Sequence, residues 1–520
     1  MGISSETERG IARGRLFLGI CLALIPTGAS FALVSNILIQ LKQEFILTNY
    51  QVGQISGAAV WGMAVSLMVF GPLLEAYGLK NAARAAFGAH LLGTTLMISA
   101  VTKVGDPSAF WLLMTGAAIL AMGNGMIEVT GNPLVAALYP DQKTVRLNWF
   151  HAFYPIGLVA GGLIGFVMAN WGGRLAYWPF QLAVIYVPVL VYGSLLLPQA
   201  FPKTENAEVG LPVKEMFRYT LTHPAVLMML VLMGISTAIE MGPMRWIPAV
   251  LESAGVHGIL VLVWISGWMV LLRLLAGPFV ERLSPPGMLV TASFLTGTGL
   301  VLFSFVESMW SALVVATIYA WGVAFFFPTM MGTLSERWPK TGSLGIVLMG
   351  GMAFLISGGV GVPLMGKVAD GYLAQALNPA ATVEYLERVE QRFPEHLARA
   401  EAATDAAQLG YRAGEVNDAL TAVTAVLNEY RSTGQLPGDA TANALRAVVA
   451  TQVPNEPLIA EAGAILQPAE AYGGQMSFRY VAPGALILFV VFGIMYMGDR
   501  RRGGYRAVRL AEVARAASGD

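Results

Sequence analysis

The chain has 520 residues, of which 56% are hydrophobic and 12% charged, and its formal net charge is zero. Its mean hydropathy is +0.61, so it has too little charge to cover a soluble globule and too much apolar sequence for one domain core. The balanced charge argues against a nucleic-acid partner, and the single cysteine, Cys21, excludes an intrachain disulfide. We therefore expect an integral membrane protein.

Apolar runs of about 20 residues, the length that crosses a bilayer core, recur along the chain in two sets of six. The first set is 16–41, 51–74, 82–100, 110–138, 147–169 and 179–197. The second set is 224–250, 258–280, 288–306, 309–334, 344–368 and 478–497. The pattern predicts an all-α membrane protein with twelve transmembrane helices in two six-helix halves.

The apolar runs also predict how the chain is divided. The divisions are an N-terminal half at 1–198, a cytoplasmic linker at 199–223, helices 7 to 11 at 224–374, an extracytoplasmic helical insertion at 375–475, helix 12 at 476–499 and a basic cytoplasmic tail at 500–520.

Basic residues are concentrated in the loops on one side of the predicted helices. They include Lys80, Arg84, Lys143, Arg146, Lys203, Lys214, Arg218, Arg282, Arg337, Lys340 and the arginines of the tail. The short loops of the other side offer Lys42, Lys103 and Arg174. The positive-inside rule therefore predicts cytoplasmic termini in a multi-pass protein of the inner membrane. A signal peptide that begins near Arg13 is the alternative, and its cleavage would leave eleven helices.

The two halves share a short motif at the end of their second helix. The sequence GPLLE at 71–75 matches GPFVE at 277–281. Internal repeats of this kind are a common plan of secondary transporters. A weaker correspondence pairs Pro133 with Pro328, in a register where Val323 takes the position of the glutamate in the fourth helix of the first half.

That glutamate, Glu128, lies in the otherwise almost uncharged run 110–138, where an ionised side chain is costly to hold. Asn124 and Asn132 lie four residues to either side, so the three side chains share one helix face. A carboxyl that is neutral when buried and ionised when exposed to water can carry a proton between two compartments. The alternative is a permanently hydrogen-bonded glutamate that fixes helix packing.

Several motifs resemble the major facilitator superfamily. The loop GPLLEAYGLKNAAR at 71–84 is similar to the superfamily signature between helices two and three, with Glu75 where Asp is usual and with Lys80 and Arg84 as its basic part. Within the superfamily the chain resembles the fucose permease family of fucose, glucose and galactose symporters. The motifs that carry this likeness are NIL at 36–38, LTNYQVG at 47–53, Glu128 with Asn132 and Pro133, RLN at 146–148 and AFYPIG at 152–157.

The resemblance implies uptake of a sugar with a proton, by alternating access of the two halves around a site near the membrane midplane. It assigns protonation to Glu128. Family members also carry an aspartate in the first helix, at the position of Asn36. Because an amide binds hydroxyls but does not titrate, either Glu128 couples transport alone or the protein is a facilitator.

The fifth predicted helix places Asn148, His151 and Tyr154 close to one face. Amide, imidazole and phenol groups suit the hydroxyls of a sugar. His151 stands where the resembled family has Gln, and a satisfied interior histidine is the alternative for it. The predicted substrate ligands are Asn36, Asn124, Asn132, Asn148, His151, Tyr154, Glu240, Trp246 and Trp321.

The seventh predicted helix carries Glu240, Arg245 and Trp246 around Gly242-Pro243. Because proline removes a backbone donor, this dipeptide predicts a break, which a salt bridge between Glu240 and Arg245 would need. An interfacial pair near the periplasmic surface is the alternative, and Arg245 leaves open an anionic substrate such as a uronate or an organic acid. The predicted gating residues are Glu75, Lys80, Arg84, Arg245, Arg273, Glu281 and Arg282.

The segment 375–475 has the composition of soluble helices, rich in Ala, Glu and Gln. It lies between helices eleven and twelve, and therefore outside the cell. One interpretation is a small helical structure packed on the extracytoplasmic mouth, and the other is a domain that captures substrate or docks a partner.

We expect a monomeric secondary transporter that takes up a sugar or sugar-like polar solute by proton symport, with membrane lipid and that solute as partners. An enzyme is not expected, since no nucleophile, metal or cofactor constellation occurs in the loops, and the proton is the expected coupling ion. The alternatives are a facilitator or exporter of a sugar derivative, organic acid or drug, and a receptor that does not transport.

Overall fold

The computed structural model describes residues 12–45, 47, 49–210, 212–402 and 411–510. Thr48 of the family-like motif and the ends 1–11 and 511–520 lie outside the described residues. The secondary structure of the described part is helical.

Among the described residues, seven α-helices form the N-terminal half. They are α1 (Arg13–Glu44), α2 (Asn49–Val65), α3 (Leu74–Ser99), α4 (Ser108–Leu138), α5 (Lys143–Trp171), α6 (Trp178–Ala183) and α7 (Tyr186–Leu196). The short α6 and α7 together make its sixth span. A π-helical turn, Ser66–Phe70, extends α2. Two short helices in the linker, α8 (Glu205–Val209) and α9 (Val213–Thr222), lead to the second half.

The C-terminal half and the insertion follow. Their helices are α10 (Pro224–Ser253), α11 (Gly258–Leu274), α12 (Ala276–Phe303), α13 (Met309–Val323), α14 (Phe326–Arg337), α15 (Gly342–Ile356), α16 (Val362–Ala376), α17 (Pro379–Ala402), α18 (Ala413–Thr433), α19 (Gly438–Ala450) and α20 (Pro457–Arg501).

In the described part, 11 helical segments are long and apolar enough to cross a membrane, and the shorter apolar helix Gly258–Leu274 adds to them. The eighth predicted span is short because α11 ends at Leu274 and the chain continues toward the next turn as the first part of α12. The all-helical architecture predicted from the sequence is confirmed.

The repeat predicted from the GPLLE and GPFVE motifs extends to the backbone. The chain turns inside α3 at Gly78 (φ 78°, ψ 159°) and inside α12 at Ser284 (φ 60°, ψ 161°). Each turn lies three residues after the motif glutamate, Glu75 or Glu281. The two halves therefore reverse direction in the same way at equivalent positions.

Close helix contacts repeat as well. A Cβ on Gly93 would lie 2.3 Å from the backbone of Leu120, and a Cβ on Gly299 would lie 2.7 Å from Tyr319. In each half the third span thus approaches the fourth through a glycine, and these contacts fix the register of the repeat.

This register corrects the predicted counterpart of Glu128. The fourth span ends at Tyr139 (φ −133°, ψ 63°), and the tenth ends at Trp338 (φ −125°, ψ 61°), each followed by proline. Phe327, and not Val323, therefore corresponds to Glu128. The charge still belongs to one half only.

The predicted break at Gly242-Pro243 is wrong, because α10 continues from Pro224 to Ser253. Glu240 and Arg245 consequently point to different sides of one helix, and no salt bridge joins them. Neighbouring helices tolerate a proline in a membrane span because they shield the freed carbonyl.

The insertion folds as a helical unit of its own. Helices α17, α18, α19 and the first part of α20 enclose an apolar core that includes Tyr385, Phe393, Val423 and Leu445. We call this unit the cap. Because α20 continues from the cap through the twelfth span, the cap is joined to the C-terminal half by an unbroken helix.

Candidate functional site

The two halves meet through hydrogen bonds at the face that carries Lys143 and Arg337, which we call the basic face. Oε1 of Glu336 in α14 accepts from the main-chain N–H and the hydroxyl of Thr144 in α5, at 2.9 and 2.8 Å. The opposite face, which carries the cap, is the cap face. Thr144 and Glu336 are buried, so the path between the halves is closed toward the basic face.

Glu75 closes the same face from the loop of the superfamily-like motif. Its two carboxylate oxygens accept from Ser343 in the C-terminal half, at 2.6 Å, and from Thr204 in the linker, at 2.7 Å. Lys143, buried, pairs with Glu205 of the linker at 2.6 Å. The linker is therefore part of the closed face.

Deeper in the molecule, Glu128 lies in a buried polar chain. Nδ2 of Asn132 donates to Oε2 of Glu128 at 2.7 Å, and Nε2 of His151 lies 2.8 Å from Oδ1 of Asn132. His151 Nε2 is also 3.8 Å from Glu128 Oε2. Asn132 thus bridges the carboxyl on α4 and the imidazole on α5.

Arg273 connects this chain to the C-terminal half. Its guanidinium donates to the main-chain oxygen of His151 at 2.9 Å and to that of Ala324 at 2.7 Å, and lies 3.5 Å from Oε1 of Glu240. It also interacts electrostatically with Glu128. The predicted gating arginine therefore lies at the centre of the molecule and braces the contact between the halves.

The buried centre holds two carboxylates, Glu128 and Glu240, around one arginine. Oε2 of Glu240 has no hydrogen-bond partner in the described part of the chain. Arg273 is paired with Glu240, whereas the carboxyl of Glu128 has, among the described residues, only the amide of Asn132 at hydrogen-bonding distance. Two carboxylates that share one cation in a low dielectric can exchange a proton with whichever compartment reaches them.

Two aromatic rings, Phe31 and Tyr154, and the guanidinium of Arg245 lie near the charged centre. Tyr154 stacks edge to face on Phe31 at 6.2 Å, and the guanidinium of Arg245 lies 5.8 Å from the centre of the Phe31 ring. Tyr154 interacts electrostatically with Arg245, Glu240 and Arg273. Arg245 is exposed, although it lies within α10.

Two predicted ligands, Asn36 and Asn124, have partners elsewhere. Asn36 donates to Gln181 at 2.6 Å. Asn124 binds His90 and Ser30, both at 3.0 Å, within the N-terminal half. The geometry gives their predicted substrate contacts no support.

Asn148 lies at the contact between the halves. Its Nδ2 donates to the main-chain oxygen of Thr144 at 2.9 Å and to the hydroxyl of Thr329 at 3.2 Å, while its Oδ1 has no partner among the described residues. Asn148 is therefore part of the contact that closes the basic face.

The two predicted tryptophans pack within the C-terminal half. Trp321 stacks with Trp268 at 5.8 Å and Phe279 at 6.2 Å. Trp246 lies against Gly366. Both rings are partly buried against the apolar core, and Nε1 of Trp321 has no hydrogen-bond partner among the described residues.

The remaining predicted gating residues surround the basic face. Lys80 donates to the main-chain oxygen of Gln199 at 2.9 Å, and the exposed Arg84 donates to Asn81 at 3.0 Å. Glu281 and Arg282 are exposed and line a cleft of about 770 Å³ that opens on this face.

Two contributors to the sites were not predicted. Tyr505 of the tail donates to Oε2 of Glu336 at 2.7 Å. His90, fully buried in α3, binds Tyr192 and Asn124 at 3.0 Å each. His90 could have been noticed in the sequence because it is a lone histidine in an apolar run. No sequence pattern marks Tyr505 in the tail.

Comparison with known proteins assigns the chain to a family. The family model described as "Major Facilitator Superfamily" matches residues 20–362, more than half of the chain. The 3-(3-hydroxy-phenyl)propionate transporter of Escherichia coli is 25% identical over 396 residues, which cover 70% of this chain and 93% of that protein. The L-fucose-proton symporter of Escherichia coli is 28% identical over 127 residues, which cover 24% of this chain and 28% of that protein.

Solved structures share the fold. FucP in the outward conformation has a TM-score of 0.55 and 19% identity, over 68% of this chain and 92% of FucP. The proton:xylose symporter XylE has a TM-score of 0.53 and 15% identity, over 68% of this chain and 89% of XylE. The family match, the repeated six-helix halves and the charged centre between them lead to one conclusion: this chain belongs to the Major Facilitator Superfamily and is a multi-pass membrane transporter, not an enzyme.

Proposed function

We propose that the protein is a proton symporter that takes up a sugar or sugar-like polar solute across the inner membrane, with the basic face and both termini in the cytoplasm. The observation that carries the proposal is the position of Glu128. Its carboxyl is buried at the contact of the halves, bound by Asn132 and within electrostatic range of Arg273 from the other half.

Protonation of Glu128 would change the bonds around it. An ionised carboxylate only accepts hydrogen bonds, whereas a carboxylic acid also donates one. A proton on Oε2 would face the Nδ2 donor of Asn132, and Asn132 could accept it only by turning its oxygen toward Glu128, which removes its bond to His151. A proton on Oε1 leaves that bond in place but makes Oε2 a weaker acceptor for Asn132. In either position the proton loosens the polar chain that ends at Arg273.

Loosening this chain bears on alternating access. Arg273 holds the main-chain oxygen of His151 across the contact between the halves. Opening of the basic face requires this bond to break, together with those of Glu336 to Thr144 and of Glu75 to Ser343. These hydrogen bonds thus connect the protonation of Glu128 to the closure of the basic face.

The proposed substrate class rests on the side chains around Arg245 and on the substrates of the relatives. Phe31 and Tyr154 offer aromatic faces for a ring, while Glu240 and Arg245 offer hydrogen bonds, a combination that binds small polar solutes. FucP and XylE transport sugars, and the 3-(3-hydroxy-phenyl)propionate transporter carries an aromatic acid. An organic acid is accordingly the second candidate, since the relative matched over most of its length carries one.

Uptake into proteoliposomes tests the proposal. We expect accumulation of a labelled monosaccharide or sugar acid when the outside is acidified, and loss of that accumulation in Glu128→Gln with exchange of solute retained. Glu384→Gln, on the exposed surface of the cap, is the matched control. Accumulation by Glu128→Gln equal to that of wild type would contradict the coupling role.

A further inference from the structure

Arg245 has no acidic partner within the described residues, although it lies inside a membrane-spanning helix. Ion pairs within 4.0 Å join other arginines of the chain to carboxylates, among them Arg273 to Glu240. Arg245 instead has a ring neighbour, Phe31, and its side chain is exposed. Arginine inside a membrane span is costly and faces a water-filled cavity or a partner.

The surroundings of Arg245 fit a ligand that carries both a ring and a carboxylate. A guanidinium presents a planar set of donors that matches a carboxylate in two parallel hydrogen bonds. Phe31 and Tyr154 place aromatic faces beside it. A ring on the aromatic faces would bring an attached carboxylate to Arg245.

The charges of the centre also balance in a way that favours an anion. With Glu128 and Glu240 ionised, Arg245 and Arg273 cationic and His151 neutral, the charges of these five groups sum to zero. Addition of one proton to Glu128 leaves one positive charge uncompensated. A monoanionic substrate removes that charge, whereas a neutral sugar does not.

We propose that the transported solute is a ring-bearing monocarboxylate, a sugar acid or an aromatic acid, whose carboxylate binds Arg245 and enters together with the proton on Glu128. The proposal rests on the proton symport proposed above and names its substrate class. The hydroxyl of Tyr154 lies within electrostatic range of Arg245, Arg273, Glu240 and Glu128. Transport of one monoanion with one proton moves no net charge.

The first experiment measures the charge that moves. Proteoliposomes of the full chain receive labelled galacturonate, 3-phenylpropionate or galactose, with an inward proton gradient and with or without a tenfold potassium gradient clamped by valinomycin. For a neutral solute with a proton, that potential changes accumulation by up to about tenfold. For a monocarboxylate with a proton, we expect accumulation that depends on the proton gradient and changes less than about 1.2-fold with the potential.

The second experiment removes the recognition group. We expect Arg245→Gln to raise the half-saturation concentration for the carboxylate by about 10- to 100-fold, the value of a lost hydrogen-bonded charge contact. Arg245→Lys keeps the charge but loses the paired donors, so its half-saturation concentration should lie between those of wild type and Arg245→Gln. Because Arg245 is exposed, neither variant should impair folding, and Arg399→Gln on the exposed cap surface is the matched control.

The outcomes separate this inference from the proposed function. Electroneutral, proton-driven uptake of galacturonate identifies a sugar acid, and that of 3-phenylpropionate identifies an aromatic acid. Proton-driven uptake of galactose, with no accumulation of either carboxylate, overturns the inference and leaves symport standing. Carboxylate uptake that is independent of the proton gradient overturns both the charge compensation and the proton coupling. An unchanged half-saturation concentration in Arg245→Gln overturns the role of Arg245.

Discussion

The hydroxyl of Tyr505 donates a hydrogen bond of 2.7 Å to Oε2 of Glu336, the carboxylate whose other oxygen holds Thr144 of the opposite half. The tail adds a second attachment, because the main-chain N–H of Val508 donates to the main-chain oxygen of Glu336 at 2.8 Å. Farther along, Arg509 pairs with Asp141 of the N-terminal half. The tail therefore spans both halves at the closed basic face.

Tyr505→Phe tests whether the tail holds this face closed. Burial and the neighbouring Glu336 raise the pKa of Tyr505 well above its ordinary value, so the hydroxyl remains a donor at neutral pH. Its loss removes a bond to a charged group, worth roughly 1.5–3 kcal/mol. We expect faster maleimide labelling of a cysteine placed at Asn148 in a Cys21→Ser background.

Tyr480→Phe is the matched control, since the side chain of Tyr480 is exposed on the apolar part of α20. It removes the same hydroxyl away from the basic face. Equal labelling rates in Tyr505→Phe and Tyr480→Phe would show that the tail does not hold the face.

Exchange of serine and glycine at Ser284 and Gly78 should change the stability in opposite directions. Ser284 has a backbone conformation, φ 60° and ψ 161°, that glycine adopts far more readily. We expect Ser284→Gly to stabilise the protein by about 1 kcal/mol and Gly78→Ser to destabilise it by about 1–2 kcal/mol. Thermal unfolding in detergent measures both, and a lower melting temperature for Ser284→Gly would contradict the strain.

The contact between α1 and α5 predicts a sharp difference between two glycines. A Cβ at Gly157 would lie 2.2 Å from the main-chain oxygen of Ile25, whereas a Cβ at Gly162 would find its nearest neighbour, Ala32, at 3.9 Å. We expect Gly157→Ala to destabilise by about 1–3 kcal/mol, because backbones must move apart. Gly162→Ala should be neutral or slightly stabilising, and similar melting temperatures for the two variants would be the contrary result.

The cap should respond to acid through Glu456. Burial raises the pKa of Glu456, but hydrogen bonds from His396, at 2.8 Å, from the main chain of Leu458 and from Arg392 outweigh it, so the pKa lies below the ordinary value. A carboxyl with a lowered folded-state pKa stabilises the fold above its unfolded-state pKa, about 4.3 for Glu. That stability is lost as pH falls through the folded-state pKa.

Glu456→Gln makes this pH dependence measurable. At pH 6 we expect the variant to unfold at a lower temperature than wild type, because the amide cannot replace a charged acceptor. The gap should close as the pH falls below about 4. Hydrogen exchange of the cap helices follows the same change, and a gap that is constant with pH would exclude a contribution from ionisation.

The membrane-spanning helices, the repeat of the two halves and a carboxyl at Glu128 inside a span could all be predicted from the amino-acid sequence. These features are local: apolar length sets a span, and a carboxylate within it is recognisable without knowledge of its neighbours. The GPLLE and GPFVE motifs likewise located equivalent turns, because a sharp reversal next to a helix end constrains a few adjacent residues.

Which polar groups meet depends on the packing of the helices. Spacing along the chain placed Asn124 beside Glu128, but contacts with His90 and Ser30 occupy it. Glu240 pairs with Arg273 from the next span and not with Arg245 from its own helix, since α10 continues unbroken through Pro243. Partners on separate helices depend on rotation and depth in the assembled bundle, which no local pattern encodes. That Arg245 has no acidic partner among the described residues becomes visible only there.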